Sequence, residues 1–449
     1  MKMRLLTTIV SLSMIFSAFA GNHDSATQQL DEVLLGWNNP DAAIAGLVAL
    51  KLSDGEVEYV YAKRHPDIAH DKGYTEHSKF RIASISKLVT AIGVMQLVEQ
   101  GILGLDTDVS EYLGFALRNP HYPQQQITTR MLLSHTSGIL DGQQYSIGPN
   151  HTIQSFFEPS GKYWDNGAHF ADSTQQNGLP LGAYFHYSNL NFGVLGTLIE
   201  RVSGQRFDLY MDEYLFKPLS IDAAFNVRLM SDEGFNEVHP LYRKQDNQWV
   251  AQVDNYHGVR PDNTIQTENP DTKSTADTEH FDLADYKIGT NGTFFSPQGG
   301  LRISIADLAK LAKVLINKGS YNGVQILKPE TVSAMEKVNW RFNGHEGLQA
   351  NGDTYYGLMQ SYGLSVHHLI GRNTKQGGDM PFEGYNGGLK GHTGEAYGLL
   401  SGFFYHRETG DAYLYFITGT PELEHGIGRY SSFYRWEEAI LTVLTNIKN

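Results

Sequence analysis

Apolar positions along this chain recur with two spacings. Leu30, Val33, Leu34 and Trp37 fall three or four residues apart, which predicts a helix over residues 28–37. Residues 44–50 and 56–62 read as strands joined at Ser53-Asp54-Gly55, a hairpin signal. Over residues 84–100, Leu88, Val89, Ile92, Met95, Leu97 and Val98 leave almost no polar face, so this helix is expected to be buried and to stop at Gly101. The short run 80–83 before it is strand-like. Further helices are predicted over residues 128–134, 189–202 and 207–216. Ser304-Ile305-Ala306-Asp307 forms a capping box ahead of the helical run 308–316, with Gly319 as its stop. Strands over 397–405 and 412–418 flank a turn at Thr409-Gly410, and an amphipathic helix over 432–447 follows. Residues 245–290 are polar, rich in Asp, Asn and Thr, and follow neither spacing, which reads as an insertion or long loops.

Strands at both ends with helices between them predict an α/β body built from about 27–100 and 291–449. A helical, loop-rich region over about 101–290 is inserted into it. The first 20 residues stand apart. Lys2 and Arg4 precede an apolar stretch from Leu5 to Phe16, and Ala18-Phe19-Ala20 has the small-x-small form of a signal-peptidase site. Cleavage is expected after Ala20, which makes 21–449 the mature chain, periplasmic or secreted. No later apolar run approaches a membrane-spanning length, so no stable membrane insertion is expected.

Composition narrows the chemistry. The chain of 449 residues has no Cys, which removes disulfides, thiolate-bound metals and a cysteine nucleophile. A net charge of −14 disfavours a nucleic-acid partner. There is no His-Glu-x-x-His, Gly-x-Ser-x-Gly or Walker motif, and the 18 His have no zinc-ligand spacing, so no metal and no cofactor are expected.

Three motifs offer chemistry. In Ser84-Ile85-Ser86-Lys87, positions i and i+3 share a helix face, so the Lys87 nitrogen can reach the Ser84 hydroxyl. A serine needs such a neighbour to become a nucleophile, and a helix N-terminus favours developing negative charge. A capping Ser with a solvated Lys fits the same spacing, but a helix without a polar face offers Lys87 little solvent. In Tyr187-Ser188-Asn189, a tyrosine with a depressed pKa can serve as a base and the amide can hold the lysine; a packing Tyr and an Asn N-cap fit as well. In Gly391-His392-Thr393-Gly394, small residues leading into a strand let a substrate lie alongside, and the Glu395 N–H can join that of Ser84 in an oxyanion hole. A Gly-rich turn explains the same residues.

Taken in order, these motifs resemble those of the serine β-lactamase-like hydrolases: class C β-lactamases, low-molecular-weight penicillin-binding proteins, D-aminopeptidases and related esterases. FRIASISK at 80–87, ITTRMLLSHTSGI at 127–139, YSNLNFGVLG at 187–196 and PQGGLRISIADL at 297–308 carry the resemblance, which covers roughly residues 27–445. It implies an α+β fold of the β-lactamase/DD-peptidase kind, an antiparallel sheet flanked by helices with an inserted, mostly helical region. It also implies Ser84 as acylated nucleophile, Lys87 as its proton shuttle and Tyr187 as general base. Asn189, His392, Thr393 and Gly394 are then substrate-binding residues, and the N–H groups of Ser84 and Glu395 form the oxyanion hole. The departure is His392, where efficient penicillin hydrolases carry Lys; Lys390 is placed to compensate in part. The implied activity is an acyl-enzyme hydrolase of a peptide, amide or ester, with weak or no β-lactamase activity. The partner is then a small-molecule or peptide substrate, including cell-wall peptide. A non-catalytic cell-wall-binding protein and a genuine class C-like β-lactamase are the alternatives.

Overall fold

The computed structural model describes residues 22–68, 72–261, 283–344, 350–374, 377–421 and 428–447. The elements that position the site are, in order, helix α1 (22–34), strands β1 (Gly46–Ser53), β2 (Glu56–Arg64) and β3 (Lys79–Arg81), helices α2 (Ile85–Glu99) and α3 (Leu190–Ser203), strands β4 (Leu241–Gln245), β5 (Gln248–Val253) and β6 (Arg302–Ser304), and helix α4 (Ile305–Ile316). Strands β7 (Trp340–Arg341), β8 (Ser361–Tyr362), β9 (His367–His368), β10 (Lys390–Ala396), β11 (Leu399–His406) and β12 (Asp411–Ile417) follow, and then helix α5 (Arg435–Asn446).

The main sheet has eight antiparallel strands in the order β2-β1-β12-β11-β10-β9-β8-β7. N-terminal strands thus close against C-terminal ones, Val48 opposite Phe416. Both faces are buried. In β1, Val48, Leu50 and Leu52 join the core shared with α2, α3 and α4, while Leu47 and Ala49 join a second core with α1 and α5. β12 alternates likewise, with Leu414 and Phe416 on one side and Tyr413 and Tyr415 on the other. The pleat's period of two delivers alternate side chains to opposite layers, and helices cover each.

Several boundaries differ from the sequence reading. Trp37 (φ 52°) lies in a left-handed turn beyond the end of α1, after Gly36 (φ 72°), so it is no longer helical. The last helix begins at Arg435, with Tyr434 as its cap, and the segment 207–216 passes from α-helix to a wider π turn at Asp212. The polar stretch 245–290 is not all loop. Asp246 (φ 46°) and Asn247 (φ 61°) make a two-residue turn joining β4 to β5. Asp and Asn tolerate the left-handed region, so the residues that suggested a loop are the hairpin's turn. Residues 262–282, like the leader 1–20, lie outside the described residues.

β5 leads to a second surprise in this stretch. Asp254 is buried and receives both arms of the buried Arg302 guanidinium, at 2.6 and 2.9 Å. Burial opposes the charge on Asp254, but the guanidinium outweighs it and holds the carboxyl below its ordinary pKa. This pair ties the polar segment to β6, which in turn pairs with β3 just before Ser84. Removing one partner strands a buried charge. Asp254→Ala is therefore expected to lower the unfolding free energy by about 3–5 kcal/mol, read from the urea midpoint. A change under about 1 kcal/mol would mean that the pair carries no more than a surface ion pair.

Candidate active site

Three distant segments meet at the start of α2. Ala83 has φ 50°, a left-handed conformation that a β-carbon disfavours, and it turns the chain sharply from β3 into the helix. The turn is braced by the 297–301 segment: Ile82 N–H donates to Leu301 O at 3.0 Å and Arg81 Nε to Gly299 O at 3.1 Å. Ser84 is thereby presented at the helix N-terminus.

Lys87 lies one turn on and is fully buried. Its Nζ is 2.8 Å from Ser84 Oγ, 2.7 Å from Asn189 Oδ1 and 3.1 Å from Gln298 O. Burial disfavours the ammonium and lowers the Lys87 pKa to about 7; the negative charge of Asp141 opposes this with smaller effect. Two of the three partners, an amide oxygen and a backbone carbonyl, can only accept. A neutral amine has two N–H groups and one lone pair. It therefore donates to Asn189 and Gln298 and turns its lone pair to the Ser84 hydroxyl.

Asn189 is oriented from its other side. Its Nδ2 donates to Asp141 Oδ2 at 2.8 Å, which leaves Oδ1 for Lys87. The other oxygen, Asp141 Oδ1, accepts from Ser188 Oγ at 3.0 Å and from Leu190 N–H at 2.9 Å, at the start of α3. Asp141 and the Gln298 carbonyl were not among the residues expected from the sequence. Asp141 lies two residues beyond the 127–139 block, outside the stretches that carry the resemblance, and Gln298 lies in the 297–308 block, whose resemblance gave it no role.

Tyr187 lies against this cluster, with the Lys87 nitrogen 4.7 Å from its ring centroid. The sequence reading asked for a depressed phenol pKa. The structure gives the opposite direction: burial raises it strongly, and a hydrogen bond with Ser84 lowers it only in part. The neighbouring Tyr355, Asp141 and Tyr145 add to the rise. His135 stacks on the same ring at 4.3 Å. Its Nδ1 accepts from Ser188 N–H at 3.0 Å, and burial holds the imidazole neutral, well below its ordinary pKa.

His392 is also buried, and its side chain turns inward. Nδ1 contacts the Thr393 carbonyl, an obligate acceptor, at 2.5 Å, so the proton sits on Nδ1 and Nε2 accepts from Tyr362 Oη at 2.8 Å. Burial lowers its pKa to about 3, with Lys87 adding to the effect. It is a neutral wall residue and supplies no cation for a substrate carboxylate. Nor is Lys390 free to do so, because its ammonium is bound to Glu336 at 2.9 Å.

Residues 391–394, read as a substrate-binding strand with a Gly-rich turn as the alternative, lie within the strand β10, whereas the strand expected from 397 starts at Leu399. The turn is Tyr397 (φ 57°) and Gly398 (φ 81°), two left-handed residues linking β10 to β11. In such a two-residue hairpin the closing pair, Ala396 and Leu399, is hydrogen-bonded and pairs alternate thereafter. Thr393 and Glu395 therefore direct N–H and C=O away from β11. On that side β9 pairs only with Lys390 and Gly391, so the edge from His392 onward is open among the described residues. At Gly394, a β-carbon would lie 3.0 Å from Ser84 N and 2.6 Å from Ile82 O. Only glycine lets the strand approach the serine this closely.

Among the described residues, no group of three or more His, Asp or Glu could hold a metal ion. No helix of the described residues is long and apolar enough to cross a membrane.

Comparison with known proteins agrees with this geometry. The chain is 25% identical over 260 residues to Penicillin-binding protein 4* of Bacillus subtilis (strain 168), a match that covers 53% of this chain and 51% of that one. The chain thus spans about half the length of that relative. A protein of Salmonella paratyphi B, provisionally named a D-alanyl-D-alanine carboxypeptidase, is 25% identical over 394 residues, covering 79% of this chain and 85% of its own. Among solved structures, EstCE1, described as a hydrolase with promiscuous acyltransferase activity, superposes with a TM-score of 0.62 at 19% identity, over 96% of this chain and 99% of that one. The family model named Beta-lactamase matches residues 24–447, and the chain belongs to that family of serine hydrolases.

Proposed function

We propose that this protein is an acyl-enzyme hydrolase of peptide, amide or ester bonds, of the DD-peptidase, D-aminopeptidase or esterase type. Ser84 is the nucleophile. The observation that carries the reading is the bonding of Lys87, whose two obligate acceptors leave its lone pair for the Ser84 hydroxyl. With a pKa near 7, this amine is in large part neutral at neutral pH. A buried phenol with a raised pKa keeps its own proton at neutral pH, so no phenolate stands ready to accept another. Lys87 thus takes the Ser84 proton as Oγ bonds to the acyl carbon. The oxyanion accepts N–H groups from Ser84 and from Glu395 on the open edge of β10. Collapse breaks the bond to the leaving amine or alcohol, which receives a proton from the Tyr187 phenol beside Ser84, and Lys87 returns to that phenol the proton taken from Ser84. Water hydrolyses the acyl-enzyme by the reverse route. The substrate backbone lies along Thr393-Gly394, and the side chain of His392 serves as a wall.

The names of the relatives, a penicillin-binding protein and a carboxypeptidase of D-alanyl-D-alanine, support a cell-wall peptide as one substrate. Export through the leader at 1–20 fits that location. A neutral His392 and an engaged Lys390 leave the strand without the cation that a β-lactam carboxylate calls for, so β-lactam turnover is expected to be weak.

A fluorophosphonate probe is expected to label the folded protein, and Ser84→Ala is expected to lose both the label and p-nitrophenyl ester hydrolysis; an unlabelled, folded wild type would indicate a binding protein. Nitrocefin turnover matching that of a dedicated β-lactamase would contradict the substrate assignment. With p-nitrophenyl acetate, kcat/KM is expected to rise with pH through about 7 as Lys87 loses its proton and then to level off. A profile flat from pH 5 to 9 would remove Lys87 as the base. Tyr187→Phe is expected to fold and to lose about 100-fold in kcat, measured on the same ester.

A further inference from the structure

Asp141 stands outside the three motifs, yet its carboxylate binds each residue from Ser188 to Leu190. Its Oδ1 holds Ser188 Oγ and Leu190 N–H, and its Oδ2 holds Asn189 Nδ2. Chain geometry alone does not decide which end of the Asn189 amide faces Lys87. A carboxylate accepts and never donates, so Asp141 requires the NH2 end on its own side. If the amide were reversed, Lys87 would face two N–H donors. The neutral amine would then find its lone pair engaged by Asn189, and the Ser84 hydroxyl would lose its proton acceptor.

We propose that Asp141 is a positioning residue of this hydrolase: by fixing the orientation of the Asn189 amide it directs the Lys87 lone pair to Ser84. The inference rests on the reading of Ser84 and Lys87 as the catalytic pair. Asp141 also acts through space. The ionisable groups facing Lys87 are Asp141, His135, His392 and Tyr187, and Asp141 is the one carboxylate among them. It draws the Lys87 pKa upward against burial. The two effects separate by substitution. Asn at 141 keeps the shape but loses the charge and the strict acceptor character, whereas Glu keeps the charge and displaces the carboxylate by one methylene.

The experiment compares wild type, Asp141→Asn and Asp141→Glu in kcat and in the pH profile of kcat/KM on p-nitrophenyl acetate, with Ser84→Ala as control. Asp141→Asn is expected to lose about 10- to 100-fold in kcat and to move the acid limb down by about one pH unit, since removing a negative charge lowers the pKa of a nearby amine. Asp141→Glu is expected to lose turnover while its acid limb stays in place. Either variant folding with kcat within about twofold of wild type overturns the proposal. So does a loss in Asp141→Asn with an unmoved limb, which marks a structural role alone. If Asp141→Asn does not fold, Asp141→Glu decides by turnover alone: kcat within about twofold of wild type overturns the proposal, and a larger loss supports it. Undiminished hydrolysis by Ser84→Ala would instead refute the nucleophile assignment beneath it.

Discussion

The burial of one amine constrains this molecule more than any other single interaction. An isolated ammonium in a protein interior is strongly unfavourable unless it is bonded or loses its proton. Lys87 does both in part. It has hydrogen-bonding partners from the start of α2, from the start of α3 and from the 297–301 segment, and its pKa falls to about 7. Three stretches separated by about a hundred residues each must therefore arrive together for α2 to bury its charged position. The fold and the site are specified by the same bonds. Thr90 Oγ1, one turn further along α2, donates to Pro297 O at 2.8 Å and fixes the third stretch in register with the first.

The sheet's contribution is an edge. β10 is covered by β11 on one side along its whole length and by β9 on the other only at Lys390 and Gly391. The two-residue turn at Tyr397-Gly398 sets the hydrogen-bonding phase, and that phase turns the Glu395 N–H outward. Ser401 on β11 donates to Ile82 O at 3.0 Å, tying the sheet to the turn that presents the serine. A one-residue slip in this hairpin would reverse the phase and close the edge's donors against β11. Register, set by turn chemistry, is thus part of the site.

Some of this was legible in the chain and some was not. The apolar α2, the β1–β2 hairpin and the spacing of Ser84 and Lys87 follow from local pattern, because the information lies within one or two turns. The strand at 390–396 was legible at His392-Thr393-Gly394 through the family resemblance, while its glycines fit a turn as well. Gly391 and Gly394 look like turn residues, but a β-carbon at Gly394 would collide with the Ser84 segment, a contact between residues more than 300 apart. The β4–β5 hairpin was hidden because Asp246 and Asn247 signal loops and two-residue turns alike. Asp141 is common in type, and its function resides in whose amide it orients. The direction of the Tyr187 pKa shift was also out of reach. A phenol acting as base calls for a nearby cation, whereas the coordinates show it buried, and burial is the largest effect on it.

The aromatic wall behind the cluster accounts for the two pKa directions together. His135, Phe185, Tyr187, Phe192, Tyr362 and His392 are in mutual ring contact. Each imidazole in the set is held neutral by burial, so the wall adds no charge. A low-dielectric surface penalises any ion beside it: it lowers the amine and raises the phenol. Had position 392 carried a lysine, an ammonium would stand next to Tyr187, favouring phenolate and disfavouring protonated Lys87 further. With a neutral histidine there, the proton's resting place shifts toward the lysine. In the proposed mechanism, a neutral His392 thus leaves the acid–base work with Lys87 more than with Tyr187, and offers no anchor to an anionic substrate.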